Sequence, residues 1–251
     1  MGADEAGREP REILDDAQVN PDREILGAQA PAAERKLSDA DRVALTAGEL
    51  AMGFSALAQI GPAISIFGSA RVSADDPLYE QTRAIARRLG ETGFAIITGG
   101  GPGLMEAANR GARDAGALSV GLNIDLPYEQ ELNPYVDLPL NFHYFYTRKL
   151  MFVRFACGFV VMPGGFGTID EAFEAFTLIQ TNKVDDFPVV LFGESFWGGL
   201  RAWVRENLLA RGMIVENDLR AMLITDDPGG VVAQCLDGAL LQGFVFDHAG
   251  S

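Results

Sequence analysis

Three glycine-rich segments are the places where this backbone could close on an anion: Gly68-Ser69-Ala70-Arg71, Gly99-Gly100-Gly101-Pro102-Gly103 and Pro163-Gly164-Gly165-Phe166-Gly167-Thr168. Glycine lets the main chain turn tightly and approach a ligand with no Cβ in the way. Where such a turn opens a helix, the free N–H groups of the first helical turn and the helix dipole favour a phosphate. Thr168 adds a hydroxyl donor. Glu171, three residues on, puts a carboxylate beside whatever the loop holds. The same Thr-x-x-Glu spacing also fits a capping box, in which Glu171 would bond the Thr168 backbone N–H. Arg148-Lys149 form a basic pair upstream. Arginine grips phosphate or ribose hydroxyls with a planar fork, and a basic pair also suits a solvated helix face.

These residues need a scaffold. From residue 63 the text alternates short apolar runs with helical stretches. The predicted strands are 63–67, 94–97, 118–122, 158–162, 188–192 and 222–224. The helices between them run over about 78–92, 104–116, 145–156, 168–180, 197–210 and 228–241. Strands apolar on both faces, each followed by a helix, mean an α/β fold with a doubly wound, mainly parallel sheet and helices on both faces. The three glycine segments then close consecutive carboxyl ends of strands, where such folds bind ligands beside a switch in strand order. A single turn of this kind can equally do no more than end its strand.

Ahead of this domain (61–251) lie an acidic tail over 1–36, read as flexible, and a helix within 37–60. Ser38 can cap that helix. Its apolar residues are Val43, Leu45, Leu50, Met52, Phe54 and Leu57. Residues 123–141 read as a long irregular stretch, a length that is often functional, and it contains Glu129. The aromatic run from Asn141 to Tyr146 follows. Its rings suit stacking on a base or a place in the core, the latter preferred for Phe142 and Phe145.

Composition excludes several classes. The 251 residues carry a formal charge of −15, against a broad nucleic-acid surface. No apolar run is long enough for a membrane span, and the N-terminus lacks a signal peptide's apolar core, so a cytoplasmic location is expected. Cys157, Cys235, His143 and His248 are too scattered for a metal site. The dinucleotide pattern counted from Gly101 meets Glu106 where its third glycine belongs. No Lys-Ser/Thr follows the glycines, and no GxSxG elbow occurs. NAD, ATP and a serine-hydrolase mechanism are therefore disfavoured, and no cofactor is expected.

The segments Gly99–Ala107 and Pro163–Glu171, with Arg148-Lys149 upstream, resemble the Lonely-guy (LOG) family over roughly residues 60–225. Those proteins are cytokinin riboside 5′-monophosphate phosphoribohydrolases and related bacterial nucleotide hydrolases. Leu126-Pro127-x-Glu129-Gln130 and Asn141–Tyr144 are similar to the longer bacterial branch. The resemblance implies a Rossmann-like fold and hydrolysis of a nucleoside 5′-monophosphate, AMP or an N6-modified AMP, to free base and ribose 5-phosphate. Arg148 and Glu171 would be the catalytic pair, Glu171 stabilising oxocarbenium character at C1′ and activating water. Gly164, Gly165, Gly167 and Thr168 would hold the phosphate. Gly68, Ser69, Gly100, Gly101, Gly103, Met105, Glu129, Lys149, Phe166 and Thr177 would line the rest of the site. A homodimer or an assembly of dimers is implied. Members are often labelled lysine decarboxylases, yet nothing in this sequence marks a pyridoxal-phosphate lysine. The alternatives are a nucleotide-binding or sensing protein without turnover, and a regulator using its acidic tail on a basic partner.

Overall fold

The computed structural model describes residues 37–125 and 132–246, together with Leu26. Glu129, His248 and, Leu26 apart, the tail over 1–36 lie outside the described residues. The elements in chain order are α1 (Asp39–Leu57), β1 (Ala63–Phe67), α2 (Pro77–Glu91), β2 (Ala95–Thr98), α3 (Leu104–Asp114), β3 (Ser119–Ile124) and β4 (Leu138–Phe142). There follow α4 (Phe145–Arg154), β5 (Phe159–Val161), α5 (Phe166–Gln180), β6 (Val189–Phe192), α6 (Glu194–Val204), α7 (Glu216–Arg220), β7 (Leu223–Thr225) and α8 (Pro228–Leu241). A π-turn over Arg205–Leu209 extends α6.

Seven strands form one sheet in the order β4-β3-β2-β1-β5-β6-β7, every neighbouring pair parallel. The chain winds outward from β1 to β4 and then returns to β5 on the other side of β1, so the order switches between β1 and β5. The central strands β1, β2, β5 and β6 are buried at every position, because helices cover both faces. Ile64, Ile66, Ile96, Val160 and Val190 pack with α2, α3 and α8 on one face. Phe67, Ile97, Val120, Val161 and Leu191 pack with α1, α4, α5 and α6 on the other.

The doubly wound parallel sheet agrees with the reading of the sequence, with one strand more. Residues 138–142 are not irregular but form β4, paired with β3 at the sheet's edge. Pro139 lies within it; proline cannot donate to a ladder and is tolerated in an edge strand. Alternate positions there are buried, Leu140 and Phe142 facing in.

In α1, Ser38 and Asp41 form a reciprocal capping box. Of its apolar residues, Leu45 and Leu57 are buried, whereas Val43 and Phe54 are exposed. No helix among the described residues is long and apolar enough to cross a membrane.

Candidate functional site

The switch between β1 and β5 opens a crevice, and a cavity of about 650 Å³ occupies it. Its wall is drawn from three strand ends: Phe67 to Arg71 after β1, Gly99 after β2, and Gly165 to Glu171 after β5. Met105 of α3, Ile124 at the end of β3, and Phe145, Arg148 and Phe152 of α4 complete it. The turns are tied to one another: the Ser69 N–H donates to the Pro163 carbonyl at 3.1 Å, and the Leu104 N–H to the Ser69 carbonyl at 3.0 Å.

The glycines divide by what a side chain would meet. A Cβ at Gly68 would press on Leu104 and Met162 at 2.9–3.1 Å, and one at Gly99 would overlap the Arg148 guanidinium. Gly103 has φ +68, and its Cβ would stand 2.5 Å from the Ser69 carbonyl oxygen. These three let the turns close on each other. A Cβ at Gly164 would meet Thr168. Gly100 and Gly101 are buried beneath the Asn133 side chain, which donates to both their carbonyls at 3.0 Å. None of Gly100, Gly101, Gly103 and Gly164 lines the cavity. Gly165 and Gly167 do line it, and nothing lies within 4 Å of a Cβ built on either. Packing gives no reason for glycine at these two positions.

Helix α5 begins at Phe166, with Gly165 as its N-cap and no side-chain cap. Thr168 therefore sits inside the first turn, and the capping box suggested by Thr-x-x-Glu is not formed. Instead Glu171 is buried, 7% exposed, and its Oε2 accepts no hydrogen bond among the described residues. A buried carboxylate without a donor is costly. Burial raises its pKa from 4.5 to about 7; Lys149 and Arg148 pull it down, and Glu174 and Asp170 push it up. Glu171 thus titrates near neutrality, the range suited to a general base.

Arg148 faces it from α4. Its Nε donates to the Leu122 carbonyl at 2.8 Å, and its guanidinium lies 5.1 Å from the centre of the Phe152 ring. Burial lowers its pKa to about 10, against the attraction of Glu171, so it remains a cation at neutral pH. An enclosed cation and a desolvated carboxylate on one cavity wall can hold an anionic sugar and activate a water.

Other expected residues separate from this group. Phe166 lines the cavity and is 93% exposed. Lys149 does not line it: Nζ is held between Asp170 Oδ2 at 2.9 Å and Glu174 Oε2 at 2.7 Å. Burial alone would lower the Lys149 pKa, but the bonds to Glu174 and Asp170 outweigh it and hold it above the usual lysine value. Asp170 also lines the cavity. Thr177 lies farther along α5, exposed, with its hydroxyl on the Phe173 carbonyl at 2.8 Å. Phe142 is in the core, while Phe145 is 44% exposed at the cavity.

Arg71, Phe152 and Ile124 line the cavity without having been singled out from the sequence. Arg71, a cation directly after the first glycine turn, carried a usable signal; Phe152 and Ile124 read as ordinary core. Among the described residues no lysine lines the cavity. The residues present therefore do not fit a pyridoxal phosphate held as a Schiff base.

Comparisons with known proteins place the family and the fold. The family described as possible lysine decarboxylase matches residues 105–235. The cytokinin riboside 5′-monophosphate phosphoribohydrolase of Mycobacterium marinum is 27% identical over 163 residues, 64% of this chain and 87% of the relative. The pyrimidine/purine nucleotide 5′-monophosphate nucleosidase of Escherichia coli K12 is 28% identical over 137 residues, 51% of this chain and 30% of the longer relative. Among solved structures, the molybdenum cofactor carrier protein of Chlamydomonas reinhardtii aligns with a TM-score of 0.52 at 20% identity, over 72% of this chain and 97% of that one, which shows a shared fold. By the extent of the family match and the agreement of these relatives, the chain belongs to the possible lysine decarboxylase family, the family of the Lonely-guy (LOG) proteins.

Proposed function

We propose that this chain hydrolyses the N-glycosidic bond of a nucleoside 5′-monophosphate, AMP or an N6-modified AMP, releasing the free base and ribose 5-phosphate. One observation carries the reading: Glu171 is a buried carboxylate with an unpaired oxygen on the wall of a cavity whose floor is the N-terminus of α5. The relatives named for phosphoribohydrolase and nucleosidase activities support it.

The 5′-phosphate sits over Gly165, Gly167 and Thr168, where the free N–H groups of α5 and its dipole meet it. Gly68, Ser69 and Met105 form the opposite wall. Phe145 and Phe166 offer aromatic surface to the base. Arg148 holds the sugar phosphate and fixes the ribose. Glu171, ionised, stabilises the positive charge growing at C1′ and takes a proton from the attacking water. Binding energy from the phosphate, remote from the breaking bond, orients C1′ against Glu171. Lys149 holds Asp170 and Glu174 in place and favours the ionised form of Glu171.

The protein acts in the cytoplasm as a homodimer or an assembly of dimers. Exposed Phe145, Tyr146 and Leu150 on α4 support an interface along that helix. The test is chromatographic: AMP and isopentenyl-AMP are incubated with the purified chain and with Glu171→Gln. Free base from the wild type and none from the variant is expected. Tight binding of both nucleotides with no base released would make the protein a nucleotide binder without turnover.

A further inference from the structure

Helix α4 delivers Arg148 to the cavity, yet its own sequence does little to start it. Its N-cap is Tyr144, which makes no side-chain cap, and its first turn holds no acidic residue. A helix start needs acceptors for its free N–H groups and favours negative charge. Both come from α1. Glu49, on the middle of α1 and 6% exposed, extends its carboxylate to this point. Oε1 accepts from the His143 backbone N–H at 2.6 Å and lies 2.7 Å from His143 Nδ1. Oε2 accepts from the Thr147 hydroxyl. Thr147 is the residue immediately before Arg148.

The contact belongs to a longer seam. Thr46 Oγ1 meets Tyr146 Oη at 2.6 Å, Gly53 leaves room for Met151, and the Phe54 ring stacks edge-on against Phe155 at 5.5 Å. Positions 46, 49 and 53 recur at helical spacing and meet 146, 147 and 151 in the same order, so one face of α1 is fitted along α4. On its far side His143 reaches Asp125, just past β3, with Nε2 3.1 Å from Oδ2. That strand's Leu122 carbonyl is the one that anchors Arg148 Nε. Glu49 and His143 therefore join the two elements that fix the arginine.

We infer that Glu49 is a positioning residue for Arg148: the N-terminal helix, outside the stretch 105–235 that matches the family, ties down the start of α4 through His143 and Thr147 and sets where the guanidinium stands. This rests on the role given to Arg148 under Proposed function. A displacement of about 1 Å in a catalytic group lowers rate by up to about a hundredfold, while the phosphate loop, untouched, keeps the part of ground-state binding that does not come from Arg148.

The test is Glu49→Gln in the full chain, with two readouts: amide hydrogen exchange over residues 143–149, and steady-state kinetics with AMP. Exchange at least about tenfold faster in that segment, with kcat about tenfold lower and KM raised less than in Arg148→Ala, is the expected result. Wild-type exchange in the segment, or faster exchange with unchanged kcat, overturns the inference. If the wild type releases no base from any nucleotide, the hydrolase reading fails instead, and exchange alone decides whether Glu49 holds α4. Should Glu49→Gln not fold, Thr147→Val removes the same contact from the other side. Thr147→Val is then expected to reproduce both effects and Thr147→Ser to show neither; equal behaviour of the two overturns the inference.

Discussion

Glu171→Gln keeps the shape of the side chain and removes its titration, which makes it a probe of stability as well as of rate. Burial, ahead of the opposing charges around it, raises the Glu171 pKa from 4.5 to about 7. A carboxyl whose folded pKa is raised binds its proton more tightly in the folded protein than in the unfolded one. Stability from this group is present below pH 4.5 and is lost as pH rises to about 7. At ~1.36 kcal/mol per pH unit, the full gap amounts to about 3 kcal/mol, and about 2.5 kcal/mol of that is lost between pH 5 and pH 8. The uncharged glutamine of the variant suffers no such loss. The melting temperature of the variant relative to wild type should therefore rise by about 5–10 °C between those pH values, at ~2–4 °C per kcal/mol for a chain of this size. Thermal unfolding by circular dichroism at pH 5, 6, 7 and 8 measures this, the other titrating groups cancelling between the two proteins. At pH 8 the variant's turnover should fall by about 10²–10⁴-fold, the usual worth of a general base. A melting difference that stays flat across this range would show that Glu171 is not a desolvated carboxylate. Near-wild-type turnover would remove it from the chemistry.

Other outcomes follow from the same geometry. In wild-type enzyme kcat/KM should rise with pH to a plateau above about 7, and in Lys149→Met the rise should move to higher pH, because the largest attraction favouring ionised Glu171 is gone. Arg148→Ala should raise KM and lower kcat together, since the guanidinium touches the sugar phosphate in ground and transition states; unchanged kinetics would contradict this. Gly167→Ala should leave the melting temperature nearly unchanged, as its Cβ meets nothing within 4 Å, and raise KM for AMP at least about tenfold by standing where the phosphate approaches the backbone. Equal KM values would place the anion elsewhere.

Much of this site was legible because its chemistry lies at the ends of strands. Apolar runs buried on both faces announce a parallel sheet, and glycines at their carboxyl ends announce close approach, so Gly68, Gly165, Gly167, Thr168 and Glu171 could be brought to one edge from the sequence, while Arg148 was placed there by the family resemblance. Spacing could not tell which glycines serve a ligand and which serve packing: Gly103 and Gly165 look alike in sequence, yet one lies against the Ser69 backbone and the other faces open cavity. Nor could it separate a capping box from a functional carboxylate, because that turns on whether α5 starts at Phe166 or three residues later. Lys149 was misplaced because its partners, Asp170 and Glu174, come from α5, and only the packing of α4 on α5 brings them near. Strand β4 was hidden by Pro139, a residue that argues against a strand everywhere but at an edge. Glu49 left no trace at all: its partners are 94 and 98 residues away, and on paper it is one more acid on an amphipathic helix.

The measurement that bears most directly on the account compares AMP with adenosine as substrates for the purified wild-type chain, following adenine and ribose 5-phosphate together. Adenine and ribose 5-phosphate are expected in equal amounts from AMP, and at least about a hundredfold less adenine from adenosine, because the phosphate loop over Gly165, Gly167 and Thr168 supplies the binding energy that orients C1′ against Glu171. Equal rates from both substrates, or AMP recovered intact after prolonged incubation, would contradict it.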